Sequence, residues 1–141
     1  MSLTCRVVTP DKSYFDGEAT KVVVPAWNGE MGFLSGHAPL IARLGHGVMR
    51  ISVPGGGVTR VAIYGGFVKV RDDEVVLLAG GAEAEADIDR ADAEAKVGEA
   101  QAGLATAGGS EVELRAATET LARAQARLAA VSHASMPIYE L

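Results

Sequence analysis

Cysteine and aromatic residues are scarce in this 141-residue sequence. Its one cysteine, Cys5, excludes an internal disulfide, and the apolar residues around it predict a small core side chain. Aromatic residues make up 5% of the chain and hydrophobic residues 48%, so we expect a core of aliphatic side chains. No apolar run approaches the ~18 residues that cross a bilayer, and the opening MSLTCRVV lacks the pattern of a secretory signal. These absences predict a cytoplasmic protein with one ordinary domain or two small ones.

The charge is acidic overall and unevenly distributed. Residues 1–81 carry eight basic and seven acidic side chains, whereas residues 82–141 carry five basic and eleven acidic ones. The net charge of −5 therefore arises in the second segment. The change coincides with a change of pattern, so it predicts two structural units, 1–84 and 87–134. An acidic chain without a basic stripe is a poor nucleic-acid binder.

The sequence before Gly81 alternates with the period of two that is typical of β-strands. Turn sequences such as Asp16-Gly17 and Asn28-Gly29 separate the strands. The pair Gly65-Gly66 interrupts a strand pattern and indicates a bulge or a close backbone approach. Many short strands with close turns predict an all-β sandwich or barrel. The candidate strands are Cys5–Thr9, Lys21–Pro25, Gly47–Val53, Val58–Tyr64, Phe67–Arg71 and Val75–Ala79.

From Asp87 onward, two helical stripes replace the strand pattern. Gly108-Gly109 separates them, and Ser110 with Glu113 forms a capping-box signature at the start of the second helix. Two stripes joined by a short glycine loop predict an antiparallel helical hairpin. The first stripe is Ile88, Ala91, Ala95, Gly98, Ala102 and Ala105, and the second is Leu114, Ala117, Leu121, Ala124, Leu128 and Val131.

The small side chains of the first stripe bear on how the hairpin behaves. Alanine and glycine bury little apolar area, and at about 25 cal/mol per Å² such a seam is weak. Two isolated helices of this length are also marginal in water. We therefore expect the hairpin to need support from a neighbour. Both a mobile arm and an arm packed permanently on the sandwich agree with this expectation.

Catalytic and metal-binding patterns are weak. His37 and His46 lie nine residues apart in a glycine-rich stretch, and neither a His-x-x-x-His nor a Cys-x-x-Cys pair occurs. Ser35 lacks the G-x-S-x-G context of a nucleophile elbow. The carboxylates Asp72-Asp73 fall in an apparent hairpin turn, where a solvated turn is the simpler interpretation. We predict no catalytic residue, no metal and no cofactor.

The stretch Gly29–Gly47, GEMGFLSGHAPLIARLGHG, is best explained by tight turns between short strands. In this interpretation Ala38, Leu40 and Ile41 pack inward. Glu30 and His37 are then the polar groups that the loops present. They are either docking groups for a partner or hydrogen-bonding groups that stabilise the turns.

Three blocks in this order resemble the epsilon subunit family of the F-type proton-translocating ATP synthase. They are GEMGFLSGHAPLIARLGHGVMRI, YGGFVKVRDDEVVLLAGGAE and the DID that opens the helical tail. The resemblance covers nearly the whole chain, from VVTPDKSYFDGEATKVVVPAWNGEMG to TLARAQARLAAV. It implies a non-catalytic subunit of the rotor's central stalk, peripheral to the cytoplasmic face of the bacterial inner membrane.

The resemblance also implies partners. In this family the sandwich contacts the gamma subunit and the loops of the c-ring, and by position Glu30 and His37 fall where the sandwich faces those loops. The hairpin of bacterial members folds against the sandwich or extends toward the alpha/beta catalytic head and inhibits ATP hydrolysis. Its expected contacts here include Arg123 and Arg127.

Some bacterial members bind ATP on the folded hairpin through an I/L-D-x-x-R-A motif and arginines of the second helix. Here the motif is IDRADA, with Asp89 in place and Arg123 and Arg127 matching the second-helix arginines. Asp92 stands where the motif has arginine, so an anion replaces a phosphate-pairing cation. We therefore expect a vestigial site, in which Asp89 is an ordinary acid of the first helical turn.

Two other functions agree with the residues alone. One is a free-standing regulatory module that binds a small ligand. The other is a small β-fold hydrolase that uses His37. Co-purification with a rotor complex distinguishes both from the subunit that the resemblance implies.

Overall fold

The structure, a computed structural model, describes residues 2–133. Eight strands are followed by a 3-10 turn and two helices, so the predicted class of a β-sandwich followed by a helical hairpin is confirmed. The strands are β1 Leu3–Val8, β2 Ser13–Ala19, β3 Lys21–Ala26, β4 Gly29–Phe33, β5 Leu40–Ser52, β6 Val58–Arg71, β7 Glu74–Ala79 and β8 Ala82–Ala84. The 3-10 turn is Glu85–Asp87, and the helices are α1 Arg90–Thr106 and α2 Glu111–Ser132.

The strands form one hydrogen-bonded sheet in the order β2-β1-β7-β6-β5-β3-β4, with β8 paired to β6. The long strands β5 and β6 run through both layers of the sandwich. The second half of β6 pairs with β7 and the first half with β8. The change occurs at Gly65 and Gly66, whose φ angles are 72° and 117°. Glycine adopts such positive φ angles readily, so these two residues let β6 bend where its partner changes.

Three strands, β2, β4 and the three-residue β8, were missed in the sequence, and two predicted strands are one. β2 contains the Asp16-Gly17 pair that we interpreted as a turn, and β4 contains two glycines. Both strands end the sheet order, so each pairs on one side only and needs fewer apolar residues. The segments 58–64 and 67–71 are continuous in β6, because glycine lets the strand bend without ending.

The main core lies between the two layers and is aliphatic, as predicted. Its largest fully buried side chains include Phe33, Met49, Ile51, Ile63 and Leu77. Cys5 is also fully buried within this cluster, and burial, with a smaller contribution from Asp16, raises the pKa of its thiol to about 12. All buried members of the cluster lie between residues 3 and 82.

Side-chain caps mark the starts of both helices of the hairpin. The side chain of Asp89 caps α1 by accepting a hydrogen bond from the Asp92 amide at 3.0 Å. Ser110 caps α2 by accepting one from the Glu113 amide at 3.1 Å, as its capping signature predicts. The last residue of the expected unit 87–134 lies outside the described residues.

The stripe predicted for α1 is wrong. Ala91, Ala95 and Ala102 are exposed, and Ile88 precedes the helix. The buried side instead carries Ala93, Val97, Ala100, Leu104 and Ala107. Alanine occupies so many positions of α1 that it marks no unique face. The larger side chains Val97 and Leu104 therefore decide which side packs.

In α2 the predicted stripe is correct in part. Leu121 is buried, whereas Leu114 is 48% exposed. Three further buried residues, Ala126, Ala129 and Ala130, widen the buried face because α2 contacts α1 and also β5 and β6. A helix between two neighbours buries a broader arc than a single stripe.

The hairpin is folded against the sandwich. A second apolar cluster joins the two units, with Ala62, Ile88, Ala93 and Ala130 buried in it. Val48, Tyr64, Leu128 and Val131 pack around these residues. Three of the four buried members are alanine, so the apolar part of this contact is small.

We expect the sandwich to fold without the hairpin, because its core needs no residue beyond Ala82. A chain that ends at Glu85 should unfold cooperatively in urea and keep a near-UV circular dichroism signal. The chain loses the contact with Ala130, so its midpoint should fall below that of the full chain. A product with native far-UV signal and no near-UV signal would show that the two units fold together.

Candidate functional site

Glu30 and His37 lie at opposite ends of β4. Glu30 is the second residue of that strand, so our placement of it in a loop was wrong. Its carboxylate accepts a hydrogen bond from Arg50 Nη1 at 2.8 Å. His37 lies beyond Phe33, the last residue of β4. At the rise of a strand, Phe33 is about 10 Å further along β4 than Glu30. The structure therefore does not bring the two side chains together.

The loop that carries His37 is held by hydrogen bonds. Asp73, in the β6–β7 turn, accepts one from Ser35 Oγ at 3.0 Å and one from the Gly36 amide at 2.7 Å. The His37 ring stands edge-on to Phe33 with its centroid 4.9 Å away, and its Nδ1 lies 2.6 Å from the Ala38 carbonyl oxygen. Asp73 is thus more than a solvated turn residue, because it positions this loop.

One outward face of the sandwich exposes large apolar side chains. Phe67 of β6 is 54% exposed and Leu78 of β7 is 57% exposed, and the two are direct cross-strand neighbours. Ile41 of β5 is 70% exposed, so our prediction that it packs inward was wrong. Its neighbours Leu40 and Ala42 pack against the core instead, because side chains alternate between the faces of a strand.

Basic side chains share this face. Arg43 pairs with Phe67 across β5 and β6, and Lys69 and Arg6 both pair with Val76 across adjacent strands. Within residues 2–133, none of these three cations forms an ion pair. Asp16 and Glu74 lie at the margins. We call this surface the apolar–basic face; it consists of Arg6, Ile41, Arg43, Phe67, Lys69 and Leu78.

The second-helix arginines face the sandwich. Arg127 donates from Nε to Glu83 Oε2 at 3.2 Å and from Nη1 to Asp92 Oδ2 at 2.6 Å. The hydrogen bond to Asp92 is the main cause that raises the pKa of Arg127. Arg123 stands over the Tyr64 ring, with its guanidinium carbon 5.0 Å from the centroid. The candidate nucleotide residues therefore have protein partners, and Asp89 serves as the helix cap.

His46 lies where α2 crosses β5. Its Nε2 is 3.5 Å from Glu119 Oε1, and its Nδ1 is buried without a hydrogen-bond partner among the described residues. Burial lowers the pKa of His46, Glu119 opposes this shift, and Arg123 adds to it. Protonation would place a second N–H donor at the buried Nδ1, so the neutral ring suits this position.

Sequence reasoning missed Tyr64, and it noted Glu83 only as one of several acidic residues around the candidate nucleotide site. Their hydroxyl and carboxylate are 2.7 Å apart, and both contact the arginines of α2. Glu83 belongs to a strand of three residues, too short for a periodic pattern. The sequence did contain a pattern from which the apolar–basic face could have been predicted. Phe67 and Lys69 occupy alternate positions of a strand, and the residue between them is apolar, so the two share the opposite face from the core.

Other classes of site have no support in the described residues. Residues 2–133 hold no group of three or more His, Cys, Asp or Glu side chains that could bind a metal ion. Neither helix in that range has both the length and the apolar character needed to cross a membrane.

Two family descriptions match the chain. One, for the β-sandwich domain of the ATP synthase delta/epsilon chain, matches residues 2–85. The other, for the long α-helix domain of the same chain, matches residues 86–132. Together they cover both structural units.

Individual proteins are similar over the same range. The ATP synthase epsilon chain of Acaryochloris marina is 46% identical over 132 residues, which are 92% of this chain and 95% of that protein. The epsilon chain of a Cyanothece species is 43% identical over 133 residues, with 92% and 95% coverage.

Solved structures share the fold at lower identity. A chain in the Euglena gracilis mitochondrial ATP synthase, from an OSCP/F1/c-ring structure, superposes with a TM-score of 0.80 at 22% identity. The alignment covers 92% of this chain and 81% of that one. A chain in the Tetrahymena thermophila central stalk/c-ring structure gives a TM-score of 0.64 at 16% identity, with 93% and 97% coverage.

Proposed function

This chain belongs to the ATP synthase delta/epsilon chain family, and we propose that it is a rotor subunit that links the c-ring to the catalytic head. In this role it lies in the central stalk at the cytoplasmic face of a bacterial inner membrane. It binds protein partners and has no catalytic residue of its own. The family match over both units supports this role.

The observation that carries the proposal is the apolar–basic face. Three large apolar side chains on one sheet face, with three cations among them that form no ion pair within residues 2–133, are unfavourable to leave in water and typical of a protein interface. The surrounding chain has a net charge of −5, so this cationic surface is a local feature. We propose that the gamma subunit binds here through apolar side chains bordered by carboxylates.

A second contact involves the c-ring. Glu30 is 56% exposed beside Arg50, and His37 is on a loop that Asp73 holds in place. We propose that each meets the polar loops of the c-ring separately, because β4 keeps them apart. These two residues then act as docking groups.

Co-purification tests the proposed role. The tagged chain should retain the gamma subunit and the c-ring through washing. Glu30→Ala and His37→Ala should release the c-ring while the gamma subunit stays bound. Recovery of the chain without any ATP synthase subunit would contradict the role and favour a free-standing module. Substrate turnover that His37→Ala abolishes would instead favour the hydrolase.

The hairpin is the proposed regulatory part. Val112 at the start of α2 is 78% exposed and Leu114 is 48% exposed, so this end of the helix has apolar surface for another partner. We propose that an extended hairpin contacts the alpha/beta head through this helix and slows ATP hydrolysis. Deletion of residues 87–141 should then raise the hydrolysis rate of the assembled enzyme. An unchanged rate would mean that the tail does not inhibit.

We expect no micromolar binding of Mg-ATP by the isolated chain. Arg127 is already bonded to the carboxylates of Glu83 and Asp92, and these anions would repel a polyphosphate. Isothermal calorimetry should show no saturable heat, and Asp92→Arg should strengthen whatever binding exists. A micromolar dissociation constant for the unmodified chain would contradict this expectation.

A further inference from the structure

Three charged residues of α2 form a row along the side that meets the sandwich. Glu119, Arg123 and Arg127 follow each other at intervals of four residues, so they share one side of the helix. Each has a partner on a different strand: His46 on β5, Tyr64 on β6 and Glu83 on β8, respectively.

The three strand partners also form a row. His46 pairs with Tyr64 across β5 and β6, and Glu83 pairs with Ala62 across β8 and β6. The Tyr64 hydroxyl donates to Glu83 Oε1 at 2.7 Å, which joins the last two partners. Adjacent strands are about 4.8 Å apart, and four residues of helix rise about 6 Å. The spacing lets each charged residue of α2 reach the next strand.

Arg127 occupies the most connected position in this row. Its side chain is 19% exposed, and it bonds to Glu83 of the sandwich and to Asp92 of α1. It therefore joins three elements, β8, α1 and α2. The two carboxylates are 35% and 50% exposed, so this pairing is partly shielded from solvent.

The apolar contact beneath the row is small, because three of its four buried residues are alanine. Ala93 of α1 and Ala130 of α2 meet Ala62 of the sandwich there. Alanine surfaces can slide past one another at little cost, because they bury little area and interlock poorly. Larger side chains border these alanines, and the charged hydrogen bonds of Arg127 add the directional contacts that favour one docked position.

We propose that the row from Glu119 to Arg127 is a latch that holds the hairpin closed on the sandwich, with Arg127 as its most connected residue. The latch uses only groups of this chain and needs no bound ligand. The proposal concerns the chain alone, so it does not rest on the proposed role in the rotor.

Hydrogen exchange of the full chain, followed by mass spectrometry, tests the latch. Arg127→Gln should speed exchange of the amides of residues 121–132 roughly tenfold, which corresponds to about 1.4 kcal/mol. Glu83→Gln should act in the same direction. Amides of β1 and β7, which lie in the main core, should exchange at unchanged rates.

Arg115→Gln is the matched control. Arg115 lies on the same helix, is 79% exposed and pairs only weakly with Glu111 at 3.4 Å. Its removal should leave the exchange of residues 121–132 within about twofold of the unmodified chain, as exposed pairs contribute little. In the double variant Arg127→Gln/Asp92→Asn, the increase in exchange should be smaller than the sum of the two single effects. Both substitutions remove the same Arg127–Asp92 hydrogen bond, which can be lost only once.

Two results would overturn the proposal. In one, Arg127→Gln and Arg115→Gln give the same exchange rates in residues 121–132, which would leave the apolar cluster as the sole docking force. In the other, Arg127→Gln speeds exchange equally in β1 and β7, which would make Arg127 a support of the whole fold. Arg127→Lys keeps the charge and loses the planar fork, so an intermediate rate supports the latch.

Discussion

Gly66→Ala is expected to lower the free energy of unfolding by roughly 3–5 kcal/mol, a large share of the stability of a domain of this size. Gly66 has a φ angle of 117°, which side-chain-bearing residues rarely adopt and which costs about 1–3 kcal/mol for alanine. An added methyl group would also lie 2.2 Å from the Leu78 carbonyl oxygen and 2.8 Å from Ala79 Cα. Both neighbours are backbone atoms of β7, so no side-chain rotation relieves the overlap.

Thermal unfolding measured by circular dichroism tests this expectation. A loss of this size should lower the melting temperature by more than 10 °C in a chain of this length. Gly55→Ala is the control, because Gly55 also has a positive φ angle of 98° but has open space where the methyl group would lie. It should cost only the backbone strain, about 1–3 kcal/mol. Equal losses for both variants would mean that the sheet can separate at Gly66 and that close packing there contributes nothing.

Gly66 also illustrates how much of the fold the sequence predicts. The Gly65-Gly66 pair predicted a bulge or a close backbone approach, and the close approach to β7 is confirmed. The sequence could not predict that one strand continues through this point into the other layer. That outcome depends on pairing with β5 on one side and with β7 and β8 on the other, which are long-range contacts.

The start of the second helix was predictable from the sequence, and the packing of the hairpin was not. Caps are local, so Ser110 was found from its own sequence context. The buried face of α1 depends on what the helix meets, and an alanine-rich helix permits several faces. The result was a stripe through Ala91 and Ala95 where the structure buries Ala93 and Ala100.

For the candidate contacts, too, local features were predictable and long-range contacts were not. Asp92 was recognised as a departure from the family motif, but its bond to Arg127 links residues 35 positions apart. The outward orientation of Ile41 could not be seen because the start of β5 was interpreted as a loop. Once the strand is known to begin at Leu40, alternation places Ile41 on the solvent face.

Phe67→Ala is expected to weaken binding of the isolated gamma subunit at least 30-fold, if gamma binds the apolar–basic face as we propose. A half-exposed aromatic residue at the centre of such a face is the type of side chain that contributes 2 kcal/mol or more to an interface. The free chain should lose little stability, since Phe67 projects outward from the core. The dissociation constant can be measured by surface plasmon resonance, with melting temperatures recorded for each variant.

Val58→Ala is the matched control for this experiment. Val58 is an exposed apolar residue of the same strand, 44% exposed, and it begins β6 far from the apolar–basic face. It should leave the affinity within about twofold. Lys69→Glu should slow association and reduce its salt dependence, because a basic side chain near the interface steers an acidic partner. If Phe67→Ala and Lys69→Glu both bind gamma as the unmodified chain does, the proposed contact is wrong and the apolar–basic face binds something else.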